Sequence, residues 1–126
     1  MSTARITLYK SIDNTFDFII KKDKSTLPLE LTDTDTFILY ITDLATNTPV
    51  ATLTSVDSVN GSITITDKIN GKITIVVKQA LVATLKSLRG TQADNYYVKP
   101  TYSFLISANT ANQGKFIATL DKVGVK

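Results

Sequence analysis

The sequence predicts an all-β fold, and three features of composition and pattern lead to that prediction. One residue in three is β-branched, with 20 Thr, 13 Ile and 9 Val among 126 residues, and the stiff χ1 angles of these residues fit a pleated sheet. Glu, a good helix former, occurs once, whereas Asp, which favours turns, occurs ten times. Short runs of alternating apolar and polar residues recur between turn residues at roughly ten-residue intervals. These features favour an antiparallel sandwich or a small barrel, and we predict the sandwich, with seven to eight strands and one short helix; the tyrosine pattern and the family resemblance described below make this sandwich immunoglobulin-like.

The length and composition predict a single domain that spans residues 1–126. A chain of 126 residues that is 43% hydrophobic can bury one core but is too short for two. The charged fraction of 20% is that of an ordinary folded domain. No apolar run approaches the roughly 18 residues that span a bilayer, and the first ten residues lack the apolar core of a signal peptide. We expect a soluble protein.

The alternating runs predict the individual strands. Thr36–Asp43 has apolar residues on both faces, as is typical of a central strand. Leu27–Leu31 also alternates but contains Pro28, which predicts an edge segment whose leucines point inward. The predicted strands are Ala4–Tyr9, Thr15–Ile20, Thr36–Asp43, Val50–Thr54, 62–67, 72–77, Asn95–Ala108 and Lys115–Val125.

An internal repeat places Asn-Gly twice, at Asn60-Gly61 and again at Asn70-Gly71, each followed by x-Ile-Thr-Ile. Asn-Gly is the preferred pair for a two-residue type I′ hairpin turn, because both central residues need a positive φ. The repeat therefore predicts two successive tight turns in a meander of strands near 50–58, 62–67 and 72–77.

One segment departs from the alternating pattern. Lys78–Leu88 carries Leu85 and other apolar residues at helical spacing, and Gly90 follows as a C-terminal stop. The β-branched Val82 weakens the helical tendency of this segment. The pattern predicts one short helix near residues 79–88.

The tyrosine-rich strand contains Pro100, which we expect to mark a bulge or bend. Tyr102, Phe104 and Ile106 alternate after it and should share a buried face. Ala93–Tyr97 has the residue order of a tyrosine corner, a structural device of immunoglobulin-like sandwiches in which a Tyr hydroxyl bonds to backbone upstream.

Charge is distributed unevenly, since residues 1–67 sum to −4 and residues 68–126 to +7. Scattered lysines at outward strand positions discourage edge-to-edge aggregation. They form no clustered basic stripe of the kind that binds nucleic acid or an anionic membrane, and we expect neither partner. Self-association through complementary patches is the better-supported alternative.

The sequence offers little catalytic chemistry. It has no His and no Cys, so the commonest general base, the thiol nucleophile, the usual zinc ligands and any disulfide are missing. Two carboxylate pairs, Asp33 with Asp35 and Asp57 with Asp67, could perform acid–base work on a glycoside. Asp33 and Asp35 could also bind calcium, but the ligand spacing of an EF-hand is absent. Because these residues act more simply as turn formers, we predict no enzyme, no catalytic or metal-binding residues and no cofactor.

Carbohydrate binding is a further alternative, because exposed aromatic rings form platforms for sugars. Tyr96, Tyr97 and Tyr102 are the candidate platforms. A binding module for carbohydrate or protein would use these rings or the loops at one end of the sandwich.

The order of elements between residues 27 and 107 resembles a known family. Leu31-Thr32 precedes the strand at Phe37–Asp43, a Thr-Asn-Thr-Pro hairpin lies at 46–49, Asn70–Ile75 follows, and a short helix leads to Asn95-Tyr96-Tyr97. This order is similar to the small immunoglobulin-like domains of tailed-bacteriophage virion proteins, such as the N-terminal domain of upper baseplate proteins. The resemblance is a pattern of elements without a shared invariant motif.

The resemblance implies a non-enzymatic structural component of a tailed-phage virion, placed in the tail, baseplate or neck or decorating the capsid. Its partners would be other virion structural proteins and further copies of itself, so a homo-oligomer is expected in the assembled particle. Assembly would take place in the host cytoplasm, with the virion as the final location.

Overall fold

The computed structural model describes residues 6–87, 89–92, 95–98 and 100–126. These residues form ten strands and one short helix. The strands are β1 (Ile6–Leu8), β2 (Asn14–Ile19), β3 (Thr36–Asp43), β4 (Thr48–Leu53), β5 (Gly61–Asp67), β6 (Lys72–Val77), β7 (Arg89–Gln92), β8 (Asn95–Val98), β9 (Tyr102–Thr110) and β10 (Gly114–Val125), and the helix is α1 (Gln79–Val82).

Two larger sheets and one small hairpin contain these strands. The first sheet has the order β1-β10-β9-β3-β4 and the second has the order β2-β6-β5. β7 and β8 pair with each other as a separate two-stranded sheet. All named pairs are antiparallel except β1 with β10, which is parallel. The prediction of an all-β, largely antiparallel fold is confirmed, although ten strands are described where seven to eight were predicted.

The two larger sheets share one hydrophobic core, which gives the molecule a sandwich-like character. β3 has the predicted bounds and lies between β9 and β4, so it is the interior strand that its two apolar faces predicted. Its Leu39 lies opposite Ile106 of β9, and its Ile41 lies opposite Phe104. All four side chains are fully buried. Alternation along β3 and β9 thus directs one face of the first sheet onto the second.

The predicted meander is wrong at the first Asn-Gly. β4 pairs with β3 rather than with β5, and the chain between them crosses from one sheet to the other. Ile63 of β5 donates its N–H to the Thr54 carbonyl across this crossing, at 2.8 Å. Gly61 has a φ of 135°, a value suited to glycine alone, whereas Asn60 has no positive φ. A tight turn does form here, closed by hydrogen bonds between Ser58 and Gly61 in both directions at 3.2 Å and 3.3 Å, but its central residues are Val59 and Asn60, so Asn-Gly is not a type I′ pair.

The second Asn-Gly does connect β5 to β6, but through residues 68–71 rather than through a two-residue turn. Only Gly71 enters the left-handed region, with a φ of 65°. The Asp67 carboxylate accepts the Asn70 backbone N–H at 3.3 Å and the Asn70 side-chain amide at 2.8 Å. These bonds stabilise a longer loop in which Asn70 keeps a negative φ.

The helix is shorter than predicted. α1 covers four residues, and the predicted continuation to residue 88 is wrong as far as Ser87; Leu88 lies outside the described residues. Thr84 turns its hydroxyl onto the Leu81 carbonyl at 2.7 Å, which competes with the helical bonding pattern. No helix in the described ranges is long and apolar enough to cross a membrane.

Two further expectations need correction. The predicted strand Asn95–Ala108 is two strands in different sheets, because the chain leaves β8 and enters β9 on either side of Pro100. The leucines of the Leu27–Leu31 segment do not all point inward, since Leu29 and Leu31 are buried but Leu27 is 59% exposed.

Candidate functional site

A groove runs along one side of the sandwich, between β2 of the second sheet and β10 of the first. β2 is an edge strand. Residues Gly114–Thr119 of β10 pair with β9 on one side, whereas β1 covers the other side of β10 only at Val123–Val125. Two adjoining cavities of about 750 Å³ and 500 Å³ fill the space and share Phe18. We call this the side groove, and its lining residues are Ile6, Thr7, Tyr9, Ile12–Lys24, Gln113, Lys115–Ala118 and Leu120.

The floor of the side groove is apolar and only partly covered. Phe16 of β2 stacks on the buried Phe104 of β9, with ring centroids 5.7 Å apart and planes inclined by 16°. Phe18 and Phe116 are half-buried and pack against the same core. Ile117 on β10 is 66% exposed. Apolar side chains left open in this way favour contact with another molecule.

The end of the side groove formed by the β1–β2 loop is acidic and rigidly built. Asn14 accepts the Tyr9 N–H at 2.9 Å, and its amide donates to the Tyr9 and Ile12 carbonyls at 3.0 Å and 3.1 Å. Asp13 accepts the Gln79 N–H at 2.8 Å and so caps the first turn of α1 from another segment.

Asp17, in the middle of β2, is the second carboxylate on the cavity at this end. It accepts a hydrogen bond from Thr74 at 2.7 Å and forms an ion pair with Lys72 at 3.3 Å. The Thr74 hydrogen bond and, to a smaller extent, Lys72 lower the pKa of Asp17 below its ordinary value. Asp17 therefore carries a full negative charge at neutral pH.

The opposite end of the side groove is basic. Lys21, Lys22 and Lys24 follow β2, and Lys115 faces them from β10. Among the described residues, none of these four lysines forms an ion pair with a carboxylate. Gln113 closes this end by accepting the Asp23 N–H at 2.8 Å. The groove thus has a negative end, an apolar middle and a positive end.

Of the candidate carboxylate pairs, Asp33 and Asp35 line one small cavity of about 260 Å³, but their surroundings differ. Asp35 is only 7% exposed and accepts hydrogen bonds from the Thr32 N–H, the Thr32 hydroxyl and the Ala111 N–H, at 2.8–2.9 Å. Asp33 is exposed and pairs with Lys68. Asp35 thus has a structural role as the joint between two turns, while Asp33 is a surface charge.

Asp57 and Asp67 are separated by the length of a strand. Asp67 ends β5 and Asp57 lies before its first residue. Seven extended residues span about 20 Å, well beyond the separation of about 5–9.5 Å in glycosidases. Lys78 pairs with Asp57 at 2.8 Å. Within the described ranges, no group of three metal-binding side chains occurs either.

The tyrosine predictions have mixed outcomes. The proposed tyrosine corner at Ala93–Tyr97 and the platform role of Tyr96 and Tyr97 rest on side chains outside the described residues, so they stay predictions. Tyr102 is 2% exposed and cannot form a sugar platform. Its hydroxyl instead accepts the Lys86 backbone N–H at 2.9 Å, a link that the sequence pattern missed.

The side groove suits an extended polypeptide better than a small substrate. It offers a strand edge that no described strand covers and an apolar floor, which are the elements of strand-addition binding, together with charges of opposite sign. No protein-family model, curated protein or solved structure matches this chain.

Proposed function

We propose that this protein is a non-enzymatic structural component that acts through protein–protein assembly, in the setting that the sequence resemblance implies, a tailed-phage virion. The supporting observation is the side groove, where a strand edge, exposed apolar side chains and lysines with no ion pair to a described carboxylate lie together. The position within the particle would be the tail, baseplate, neck or capsid surface, after assembly in the host cytoplasm.

We also propose that the sandwich is immunoglobulin-like. The order β10-β9-β3-β4 corresponds to strands G, F, C and C′ of a variable-type domain, and β2-β6-β5 corresponds to B, E and D. β7 and β8 would then be an insertion between E and F. Tyr102 at the start of β9 occupies the place of a tyrosine corner, because its hydroxyl bonds to backbone upstream.

A structural role agrees with how the candidate acids are used. Asp33, Asp35, Asp57 and Asp67 each accept a hydrogen bond or pair with a cation in the folded chain. Carboxylates engaged in this way hold segments together and are poorly placed to exchange protons with a substrate.

The test is direct detection in particles. Particles from the source phage or prophage are purified by density gradient and analysed by quantitative mass spectrometry. We expect this chain in a constant ratio to the major capsid protein across preparations. Particles that lack the chain would contradict the proposal.

A carbohydrate- or protein-binding immunoglobulin-like module is the second candidate. The observation that favours carbohydrate is Tyr9, which is 45% exposed at the acidic end of the side groove beside Asp13 and Asp17. A glycan array with wild type, Tyr9→Ala and the control Tyr40→Ala would decide it. Binding lost only in Tyr9→Ala supports this candidate, whereas binding unaffected by Tyr9→Ala removes it.

A further inference from the structure

We propose that two copies of this chain pair through their β2 edges, antiparallel, and so join their three-stranded sheets into one sheet of six strands. This inference rests on the proposed function, because it names the partner and the surface through which assembly occurs. The partner is a second copy, and β2 is the surface.

The backbone of β2 supplies the first argument. Ile20 donates its N–H to Gly71 at 2.8 Å, on the β6 side. Because neighbouring residues of an antiparallel strand point their backbone groups to opposite sides, the N–H and C=O groups of Thr15, Asp17 and Ile19 face away from β6. The same alternation holds in β5, on the other side of β6. There the Ile63 N–H points away from β6 and bonds to the Thr54 carbonyl. Within the described ranges, no strand pairs with the outer side of β2.

The side chains of this edge supply the second argument. Phe18 is half-buried, and Ile19 is 36% exposed. A strand added beside β2 removes part of this apolar surface from water and satisfies the outward backbone groups, and both effects favour association. The edge strand contains no proline, and its first three outward-facing residues carry no lysine that would discourage pairing.

Charge complementarity selects the partner and its direction. β2 has Asp13 before its first residue and Lys21, Lys22 and Lys24 after its end, where Asp23 lies among the lysines and leaves the end net positive. A parallel pair would place like charges together, whereas an antiparallel pair places the acidic end of each copy against the basic end of the other. The edge is therefore complementary to itself.

The register follows from the outward backbone groups. When the two-fold axis passes through Asp17, Thr15 lies opposite Ile19 and Asp13 lies opposite Lys21, at both ends of the pair. Thr15, Asp17 and Ile19 are odd-numbered, so their backbone N–H and C=O groups point outward as the new ladder requires, and Asp13 and Lys21 lie just beyond the two ends of β2. The two Asp17 carboxylates lie opposite each other at the axis, and this like-charge contact opposes pairing but is reduced by the Lys72 ion pair of each Asp17, at 3.3 Å.

The experiment uses the intact chain and two charge-reversed variants. The first variant, Lys21→Glu with Lys22→Glu, makes both ends of the β2 edge acidic. The matched control, Lys10→Glu with Lys126→Glu, changes the net charge equally at residues that do not line the side groove. Sedimentation velocity is recorded in low salt over protein concentrations up to about 1 mM, which covers weak as well as tight dimers.

We expect the wild-type chain and the control to form dimers, and the Lys21→Glu, Lys22→Glu variant to dimerise at least about tenfold more weakly, since attraction becomes repulsion at both ends. A wild-type chain that stays monomeric over this range overturns the inference. Equal dimerisation of the two variants does so too, because another face would then form the contact.

A backbone variant tests the edge independently. Thr15→Pro removes a backbone N–H that faces outward. It leaves intact the N–H groups that β2 donates to β6. We expect a folded monomer, with the circular dichroism and cooperative unfolding of the wild type. If Thr15→Pro fails to fold, the charge variants decide the matter.

The outcomes separate this inference from the proposed function. A chain that is present in particles but pairs only with a different virion protein, never with itself, overturns the dimer and leaves the structural role standing. If the chain dimerises through β2 but is absent from particles, the structural role is overturned and the dimer stands.

Discussion

Single buried side chains join segments that are distant in the sequence. Asp35 binds both the Thr32 turn and Ala111, 76 residues away. Burial raises the pKa of Asp35, but the hydrogen bonds from Ala111 and Thr32 outweigh it and lower the pKa below the ordinary value of 3.8. The sequence suggested a turn role for this residue, but no local pattern could reveal that its second partner lies beyond β9.

Replacement of Asp35 should be costly and should change the acid sensitivity of the fold. Asp35→Asn leaves one backbone donor poorly satisfied, and we expect the free energy of unfolding at pH 7 to fall by about 2–3 kcal/mol. Because the folded pKa is depressed, the stabilisation from Asp35 is complete above pH 3.8 and is lost as pH falls through the lower folded value. Urea unfolding at neutral and acidic pH measures both effects.

Asp33→Asn is the matched control, since Asp33 is exposed and forms a surface ion pair with Lys68. We expect a change below about 0.5 kcal/mol. Equal losses in the two variants would contradict a structural role specific to Asp35.

Tyr102 makes a second long-range link, from β9 to the segment after α1. Tyr102→Phe keeps the buried ring but leaves the Lys86 N–H without its acceptor, so we expect a loss of about 1–2 kcal/mol. Tyr40→Phe is the control, because no hydrogen bond to the Tyr40 hydroxyl is found among the described residues. Thermal and urea unfolding compare the two variants, and an unchanged stability of Tyr102→Phe would contradict the link.

At the scale of elements, alternation predicts where strands lie better than it predicts which strands pair. β3 has the bounds that its alternating residues predict, Thr36–Asp43. The partner of β4 could not be read in the same way, because Asn60-Gly61 has the same sequence whether it forms a hairpin or begins a strand after a crossing. What distinguishes the two is tertiary structure, because β4 pairs with β3 in the first sheet and β5 begins in the second sheet.

The loop between β5 and β6 depends on a glycine for two separable reasons. Gly71 has a positive φ, and a Cβ there would lie 2.5 Å and 2.6 Å from the Leu29 and Ile20 carbonyl oxygens. Gly114 has a similar φ of 72° but open space around it. We expect Gly114→Ala to cost about 1 kcal/mol from backbone conformation alone, and Gly71→Ala to cost at least about 2 kcal/mol.

Chemical denaturation of the two alanine variants checks this difference. Equal destabilisation would mean that the closeness of the Leu29 and Ile20 carbonyl oxygens to Gly71 does not add to the requirement for glycine at that position.

At the scale of the whole molecule, the sequence predicts one β domain but not the side groove beside the β2 edge. The acidic residue before β2 and the lysines after it are visible in the sequence, where they resemble an ordinary turn and a solvated loop. Their significance depends on β2 being an edge strand, which follows from the pairing of β6 with both β2 and β5.

The edge position of β2 predicts an alternating pattern of amide exchange. In dilute, monomeric protein, the amides of Phe16 and Phe18 should exchange slowly because they face β6, and those of Thr15, Asp17 and Ile19 should exchange much faster. Amides in the interior strands β3 and β9 should be the slowest. Hydrogen exchange followed by NMR measures these rates, and uniform protection along β2 would contradict the orientation given to its backbone.

The parallel pairing of β1 with β10 gives the domain a particular response to mechanical load. Ile6 lies beside Val123 and Leu8 beside Val125, so tension applied before Ile6 and after Val125 pulls the two strands along their length in opposite directions. The hydrogen bonds between them are then strained together, in shear, and are not broken one after another as in the unzipping of a hairpin. A subunit held in an assembly by its two ends would resist extension at this small parallel pair first.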